Sequence, residues 1–468
     1  MNNTYTGLVN QTFHFPQEGF EVKDGYLRFN GLDLQALIEK HGTPLKLTYL
    51  PKIGMQINKA KAMFDHAFKK YKYTGQYNYC YCTKSSHFSF IVEEALKHSI
   101  HLETSFAYDI EIVNKLYQRR RINKETFIVC NGYKQKSYTS RIAKLLNTGF
   151  KNVVPVLDNI QELQAYKKAV KVPFKLGIRV AAEEEPNFPF YTSRLGIRPR
   201  DILAFYVDEI EGYEDKFQLK MLHIFLNKGI KDDIYYWSEL NKVINLYCQL
   251  KKICPELDSI NIGGGFPIKH SLGFEYDYQF MINEIVRNIK SACKKAKVPE
   301  PNIFTEFGSF TVGESMAHIY SVIGEKEQND REMWYMIDSS FITTLPDTWG
   351  IGEKFLMLPI NKWENEYRRV VLGGITCDSH DYYDSEEHIN EVFLPKNTPE
   401  DKENLYVGFF HTGAYQDQIS GYGGIKHCLI PSPKHVIVDF DKNGKLEDWV
   451  YAREQSAQSM LKILGYTR

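Results

Sequence analysis

Residues 77–84 read YNYCYCTK. With the two-residue period of a strand, Tyr77, Tyr79, Tyr81 and Thr83 share one face, and Asn78, Cys80, Cys82 and Lys84 share the other. Large aromatics on one side and small side chains on the other do not describe a half-exposed strand. The lysine that ends it then calls for a chemical reason.

From Lys84 onward, short strand-like runs alternate with helical patterns. Eight candidate strands stand out: 78–84, 100–104, 126–131, 152–157, 174–180, 219–225, 259–263 and 303–306. Stretches such as SFIVEEALKHS, DIEIVNKLYQRR, TSRIAKLLNTG, IQELQAYKKAV and YYWSELNKVINLYCQLKKI lie between them with helical spacing. Eight βα units predict an α/β fold with a closed (β/α)8 TIM barrel, here over residues 46–330. An open doubly wound sheet is the rival, but no GxGxxG follows the first strand. Residues 1–45 and 331–468 read differently. WYMIDSSFI, RRVVLGGITC, NLYVGFF and KHVIVDF are β-rich without regular helices between them, and FEVKDGYLRFNG has the pattern of a hairpin. They predict a second, β-type domain.

The composition bounds the rest. With 58 basic and 58 acidic residues in 468, net charge gives no reason to expect nucleic acid or an anionic membrane as partner. Apolar residues make up 43% of the chain, ample for a large core, yet no run approaches the ~20 apolar residues of a spanning helix. The N-terminal residues lack the pattern of a secretory signal. Cys80, Cys82, Cys130, Cys248, Cys254, Cys293, Cys377 and Cys428 are scattered, with no CxxC pair. Reduced thiols in the cytoplasm are the expectation. His223 and His270 sit in neither an HxH nor an HExxH pattern, so no metal site is expected.

Polar residues recur at the carboxyl ends of the predicted strands: Lys84, Glu103, Asn131, Arg179, Asn227 with Lys228, Gly263 to Gly265, and Glu306. That is the face on which this barrel builds active sites. A lysine is ordinarily a surface charge. At the dry mouth of a barrel, desolvation would depress its pKa and free the amine to attack a carbonyl. In INIGGGFP (260–267), three glycines let backbone N–H groups approach a phosphate closely, or simply make a turn. Glu306 in TEFGS has two readings: a carboxylate keeping a pyridine nitrogen protonated, or the partner of a barrel arginine. ITCDSHDYYDSEEH (375–388) sets a thiol among carboxylates, either a proton donor beside a cation pocket or a solvated acidic loop. Tyr415, in HTGAYQDQISGYGG (411–424), either reaches a phosphate or packs.

YCTK, LETSFAYDIEIV, GGGFP, EFG, CDSHD and GAY, in this order over residues 77–420, resemble the fold-type III pyridoxal-phosphate decarboxylases of basic amino acids. These include ornithine, diaminopimelate and biosynthetic arginine decarboxylases, built on an alanine racemase-like barrel. FIVCNGYKQKSY (127–138), LGIRV (176–180) and TSRLGI (192–197) are most similar to the arginine branch, although this chain is shorter and lacks that branch's inserted helical domain. The resemblance implies pyridoxal 5'-phosphate as cofactor and Lys84 as the residue that binds it covalently. Glu306 would face the pyridine nitrogen, and Glu103 and Arg179 would lie near the ring. Gly263, Gly264, Gly265, Gly308 and Tyr415 would hold the phosphate. Cys377 would give a proton to the carbon that loses CO2. Asp378, with Asp381, would bind the distal cation of the substrate. Cys377 and Asp378 would act in the neighbouring subunit of a head-to-tail homodimer.

Two segments depart from the family. Its HxHxGS-like segment reads HIFLNKG (223–229), so Phe225 replaces a stacking imidazole and Lys228 a phosphate-binding serine. Its EPGR reads EFGS, so Ser309 replaces an arginine. Lys228 is expected to supply the positive charge that Ser309 cannot. The implied reaction is arginine to agmatine, an entry to polyamines. Alternatives are ornithine, lysine, diaminopimelate or carboxynorspermidine as substrate, or a non-catalytic cofactor-binding homologue. A racemase fits less well, because CDSHD suits a proton donor to a decarboxylated carbon.

Overall fold

The structure, a computed structural model, describes residues 15–182, 193–226, 233–330, 332–383, 392–397 and 401–467. They divide into two units. One comprises Met1–Lys52, Ile268–Glu275 and Val312–Arg468, and the other Ile53–Pro267 with Tyr276–Thr311.

The first unit opens with β1 (Phe20–Lys23), β2 (Tyr26–Phe29) and β3 (Leu32–Asp33), a three-stranded antiparallel sheet. Asp24 and Gly25 both take positive φ, 54° and 80°, the two-residue turn whose twist matches that of the strands it joins. Next comes β4 (Leu45–Tyr49), buried along its whole length.

The second unit is a closed parallel barrel of eight strands: β5 (Tyr77–Cys82), β6 (His101–Thr104), β7 (Ile128–Cys130), β8 (Val153–Leu157), β9 (Phe174–Arg179), β10 (Phe217–His223), β11 (Ser259–Asn261) and β12 (Asn302–Phe307). It closes where β12 pairs with β5, from Ile303 opposite Tyr77 to Phe307 opposite Tyr81. The alternation read in YNYCYC sorts inside from outside. Cys80 clusters with Val129, Val154, Val156, Met221 and Phe304 in the interior. On the other face, Tyr77 stacks on Phe64 with ring centroids 3.9 Å apart, and the Tyr79 hydroxyl meets Thr311 at 2.7 Å. Phe304 is 1% exposed, and truncating such a side chain to alanine costs about 3–5 kcal/mol.

Several strands stop earlier than their sequence pattern. β5 ends at Cys82 because Thr83–Ser85 turn into a 3₁₀ helix. The Ser85 hydroxyl closes that turn onto the Cys82 carbonyl at 2.8 Å, and the Thr83 hydroxyl donates to the Glu103 carbonyl at 3.0 Å. Lys84 therefore rides on a turn and not on the strand. Phe225 and the glycine triplet likewise lie past the ends of β10 and β11.

The rest of the first unit comprises β13 (Met316–Gln328), β14 (Glu332–Ile337), β15 (Leu356–Pro359), β16 (Tyr367–Gly373), β17 (Tyr382–Tyr383), β18 (Val392–Pro395), β19 (Tyr406–Phe410), β20 (Lys434–Phe440) and β21 (Leu446–Ala452). With β4 they form one ten-stranded sheet, whose main path runs β17-β16-β14-β13-β4-β20-β21. β4 pairs antiparallel to β13 and parallel to β20, with Leu47 opposite both Ala317 and Val436. The unit boundaries thus differ from 46–330. Residues 46–52 and 312–330 belong to the β-rich unit, because the ladder of β4 and β13 holds them there. Among the described residues, no helix is long and apolar enough to cross a membrane.

Candidate active site

At the carboxyl ends of the barrel strands a chain of hydrogen bonds joins residues from the ends of six strands, β5, β6, β7, β10, β11 and β12. Lys84 Nζ donates to Glu103 Oε2 at 3.1 Å and to the Ser105 hydroxyl at 3.4 Å. Glu103 is fully buried, and its Oε1 accepts from Ser105 Oγ at 2.7 Å and from Asn131 Nδ2 at 3.1 Å. The same Asn131 amide donates to Glu306 Oε1 at 2.8 Å, where Asn261 Nδ2 also arrives at 2.6 Å. His223 Nε2 lies 3.1 Å from Glu306 Oε2. One amide thus links two buried carboxylates, with the amine at one end.

Burial alone would raise the Glu306 carboxyl. The His223 imidazole outweighs it, with help from Lys84 and Asn131, and holds the group at about 2. Glu306 is therefore a carboxylate at neutral pH. Beneath the mouth, burial pushes the Cys80 and Cys82 thiols well up, so both remain protonated and unreactive.

Arg179 ends β9, and its guanidinium carbon stands 5.7 Å from the Phe225 ring centroid. That is within the range of a cation–π contact. After β11 the glycine turn packs backbone on backbone. A Cβ on Gly263, which has φ +70°, would lie 2.6 Å from the Ile224 carbonyl oxygen. One on Gly264 would lie 2.3 Å from the Glu306 carbonyl oxygen. Gly265 also has positive φ, at 96°. The Gly308 carbonyl accepts from Thr311 N at 2.9 Å. Lys228 lies outside the described residues.

The remaining candidates belong to the β-rich unit. Cys377 is exposed and Asp378 half-buried. The hydrogen bond and charge of the neighbouring Cys428 sulfur push the Cys377 thiol up. The His380 backbone N–H, 2.8 Å away, helps to hold the Asp378 carboxyl below its usual range. Asp381 is different, being buried with both oxygens engaged. It accepts from Phe341 N at 2.8 Å, Ile342 N at 3.3 Å and the Ser340 hydroxyl at 3.2 Å, and from Thr376 N and Oγ1 at 3.1 and 2.6 Å. It ties the 374–381 loop to a helix N-terminus and presents no free carboxylate. Tyr415 takes φ +68° just before the helix Gln416–Ser420.

Sequence reasoning overlooked Ser105 and Asn261 and weighed His223 only as a metal ligand. The signals were present: His223 lies two residues before Phe225, and Asn261 lies two residues before the glycine triplet.

Residues 55–313 match the family model described as pyridoxal-dependent decarboxylase, pyridoxal binding domain. The chain belongs to this family. As a member it is a pyridoxal-phosphate-dependent amino acid decarboxylase, a carboxy-lyase. This decarboxylase is 20% identical to a biosynthetic arginine decarboxylase of Prochlorococcus marinus, over 94% of this chain and 86% of that one. It is 22% identical to that of Phocaeicola vulgatus, over 93% and 86%. Its fold resembles the crystal structure of the biosynthetic arginine decarboxylase of Campylobacter jejuni (TM-score 0.80, 21% identity, 96% of this chain and 89% of that one). It also resembles a diaminopimelate decarboxylase from M. jannaschi (TM-score 0.77, 19% identity, 95% and 97%).

The barrel mouth of this decarboxylase fits its cofactor. A carboxylate has about four lone-pair positions. In Glu306 two asparagine amides fill Oε1 and His223 takes one position on Oε2, leaving one acceptor site for a cationic ring N–H. Lys84 offers an amine for an aldehyde. Side chains on Gly263 and Gly264 would collide with backbone. The Gly263 N–H donates to Asn261 Oδ1 at 3.0 Å, and the N–H groups of Gly264 and Gly265 follow it in the turn.

Proposed function

We propose that this decarboxylase converts arginine to agmatine and CO2, as a cytoplasmic homodimer serving polyamine synthesis. The observation that carries the chemistry is the Lys84 amine set against the Glu103–Asn131–Glu306 chain. The substrate is supported by the curated relatives, which are named biosynthetic arginine decarboxylases.

Bound cofactor would supply an electron sink for the negative charge left on Cα when CO2 departs. The work of the chain's own residues follows from their chemistry. Lys84 binds the aldehyde, and Glu103 and Ser105 orient its amine. Glu306, ionised throughout the physiological range, keeps a proton on the ring nitrogen. Asn131, Asn261 and His223 fix that carboxylate so that it need not reorganise during the reaction. Gly263, Gly264, Gly265 and Gly308, and in the family's pattern Tyr415, would hold the phosphate, with Lys228 adding positive charge. Arg179 and Phe225 would lie near the ring. Cys377, kept as a thiol beside Cys428, delivers the proton that replaces CO2. Asp378 is a carboxylate with the geometry to take a guanidinium by two parallel hydrogen bonds. Asp381 positions the loop that carries both.

Release of labelled CO2 from arginine, ornithine, lysine and diaminopimelate tests the assignment. Arginine turnover at least ~10-fold above the others supports it, and preference for another substrate overturns it. The shared dimer site is tested by mixing Lys84→Ala and Cys377→Ala chains. Random pairing builds one intact site in each mixed dimer, about a quarter of all sites, so about a quarter of the activity returns. No recovery once subunit exchange is shown excludes sharing.

A further inference from the structure

Fifty residues apart in sequence but adjacent in the β-rich unit, Cys377, His427 and Cys428 bring three ligand atoms within 4.8 Å of one another. Cys377 Sγ lies 3.5 Å from Cys428 Sγ and 4.0 Å from His427 Nε2. A tetrahedral zinc ion with Zn–S of about 2.3 Å and Zn–N of about 2.0–2.1 Å sets its sulfurs roughly 3.8 Å apart and sulfur to nitrogen roughly 3.6 Å apart. The observed separations straddle those edges.

The framework is held from both sides. Cys377 follows Thr376, whose backbone and hydroxyl are fastened to Asp381. On the other strap, Lys426 Nζ, buried, donates to the Thr343 carbonyl at 3.0 Å. Cys428 and Leu429 then take consecutive positive φ, 53° and 54°. Two consecutive non-glycine residues in the left-handed region are strained, and such strain persists only where surrounding contacts enforce it. The imidazole and the second thiol are thus presented on a constrained turn.

We infer that Cys377, His427 and Cys428 form a binding site for a thiophilic divalent cation, zinc above all. Two thiolates and an imidazole are a soft donor set that zinc prefers over magnesium or calcium. On binding, both thiols lose their protons to solvent, the imidazole coordinates in its neutral form, and water takes the fourth position. No electron transfer is involved. The functional consequence rests on the proposed role of Cys377: a thiol coordinated to zinc has no proton to give, so zinc inhibits decarboxylation reversibly.

The experiment uses the reduced, full-length, cofactor-loaded protein dialysed against zinc. One zinc per chain, with K-edge absorption reporting two sulfurs and one imidazole nitrogen, is the expected result. Zinc is lost in Cys428→Ser and weakened in His427→Gln, with unaltered thermal melting showing that both fold. No retained zinc, zinc without sulfur ligands, or zinc held equally by Cys428→Ser overturns the site. So does a Cys377–Cys428 disulfide found by non-reducing mass spectrometry in protein kept with reductant. Activity forms a separate arm. Inhibition by zinc, reversed by a chelator and absent in Cys428→Ser, supports the switch. Bound zinc without inhibition overturns the switch and the proton-donor role of Cys377 while leaving the site standing.

Discussion

His223 Nε2 and Glu306 Oε2 stand 3.1 Å apart at the ends of β10 and β12, with β11 between those strands. Both side chains are almost completely buried. This contact is the largest of the interactions that together offset burial and keep Glu306 ionised, and it has a measurable signature.

With its pKa lowered from 4.5 to about 2, Glu306 binds fewer protons in the folded state than in the unfolded chain. Its stabilising contribution is complete above about pH 4.5 and disappears as pH falls toward about 2. Urea denaturation should therefore show the stability gap between wild type and Glu306→Gln shrinking by about 3 kcal/mol over that interval. A gap independent of pH would mean that the His223 contact does not hold the carboxylate.

Lys84→Ala and Lys84→Arg should both lose the yellow absorbance of lysine-bound cofactor. Turnover should fall at least ~10³-fold, equivalent to about 4 kcal/mol of barrier. Borohydride reduction of wild type should fix the label on the peptide carrying Lys84; a label elsewhere refutes the assignment.

Gly264→Ala places a methyl 2.3 Å from the Glu306 carbonyl oxygen, which is backbone and cannot swing aside. The turn must shift, at about 1–3 kcal/mol, and cofactor affinity should drop roughly tenfold at a comparable energy. Gly350, with nothing within 4 Å of its added Cβ, is the control and should tolerate alanine.

Asp378 and Asp381 should separate cleanly. Asp378→Asn should leave thermal stability nearly unchanged and raise KM for arginine, because the carboxylate accepts from His380, two residues away in the same loop, and an amide oxygen can do the same. Asp381→Ala should lower the melting temperature, removing an acceptor from five donors at a cost of about 2–4 kcal/mol. Equal melting curves for the two would refute the structural role of Asp381.

The barrel was legible because its signal is local. Each strand alternates or runs apolar over a few residues, and the aromatic face of β5 could be read from eight letters. Lys84, Glu103 and Glu306 were legible for the same reason, as polar residues at strand ends. What was hidden depends on distance. Asn131 joins two carboxylates 28 and 175 residues away, which no spacing rule reports. Asp381 looked like its acidic neighbours until its burial showed what it fastens. The thiols of Cys377 and Cys428, 51 residues apart, form no recognised pair in sequence. The place of LKLTY, just inside the expected boundary at residue 46, is not legible from its own residues. Only its partners β13 and β20, far along the chain, assign it elsewhere.

That assignment of β4 shapes how the polypeptide is made. Emerging early from the ribosome, its five buried residues find neither neighbour until β13 and then β20 have been synthesised. Throughout elongation of the barrel this segment waits with both edges open, a non-local pairing that folds slowly and invites misassociation. Nascent chains stalled before β20 should therefore depend on chaperones, even where the barrel itself is complete.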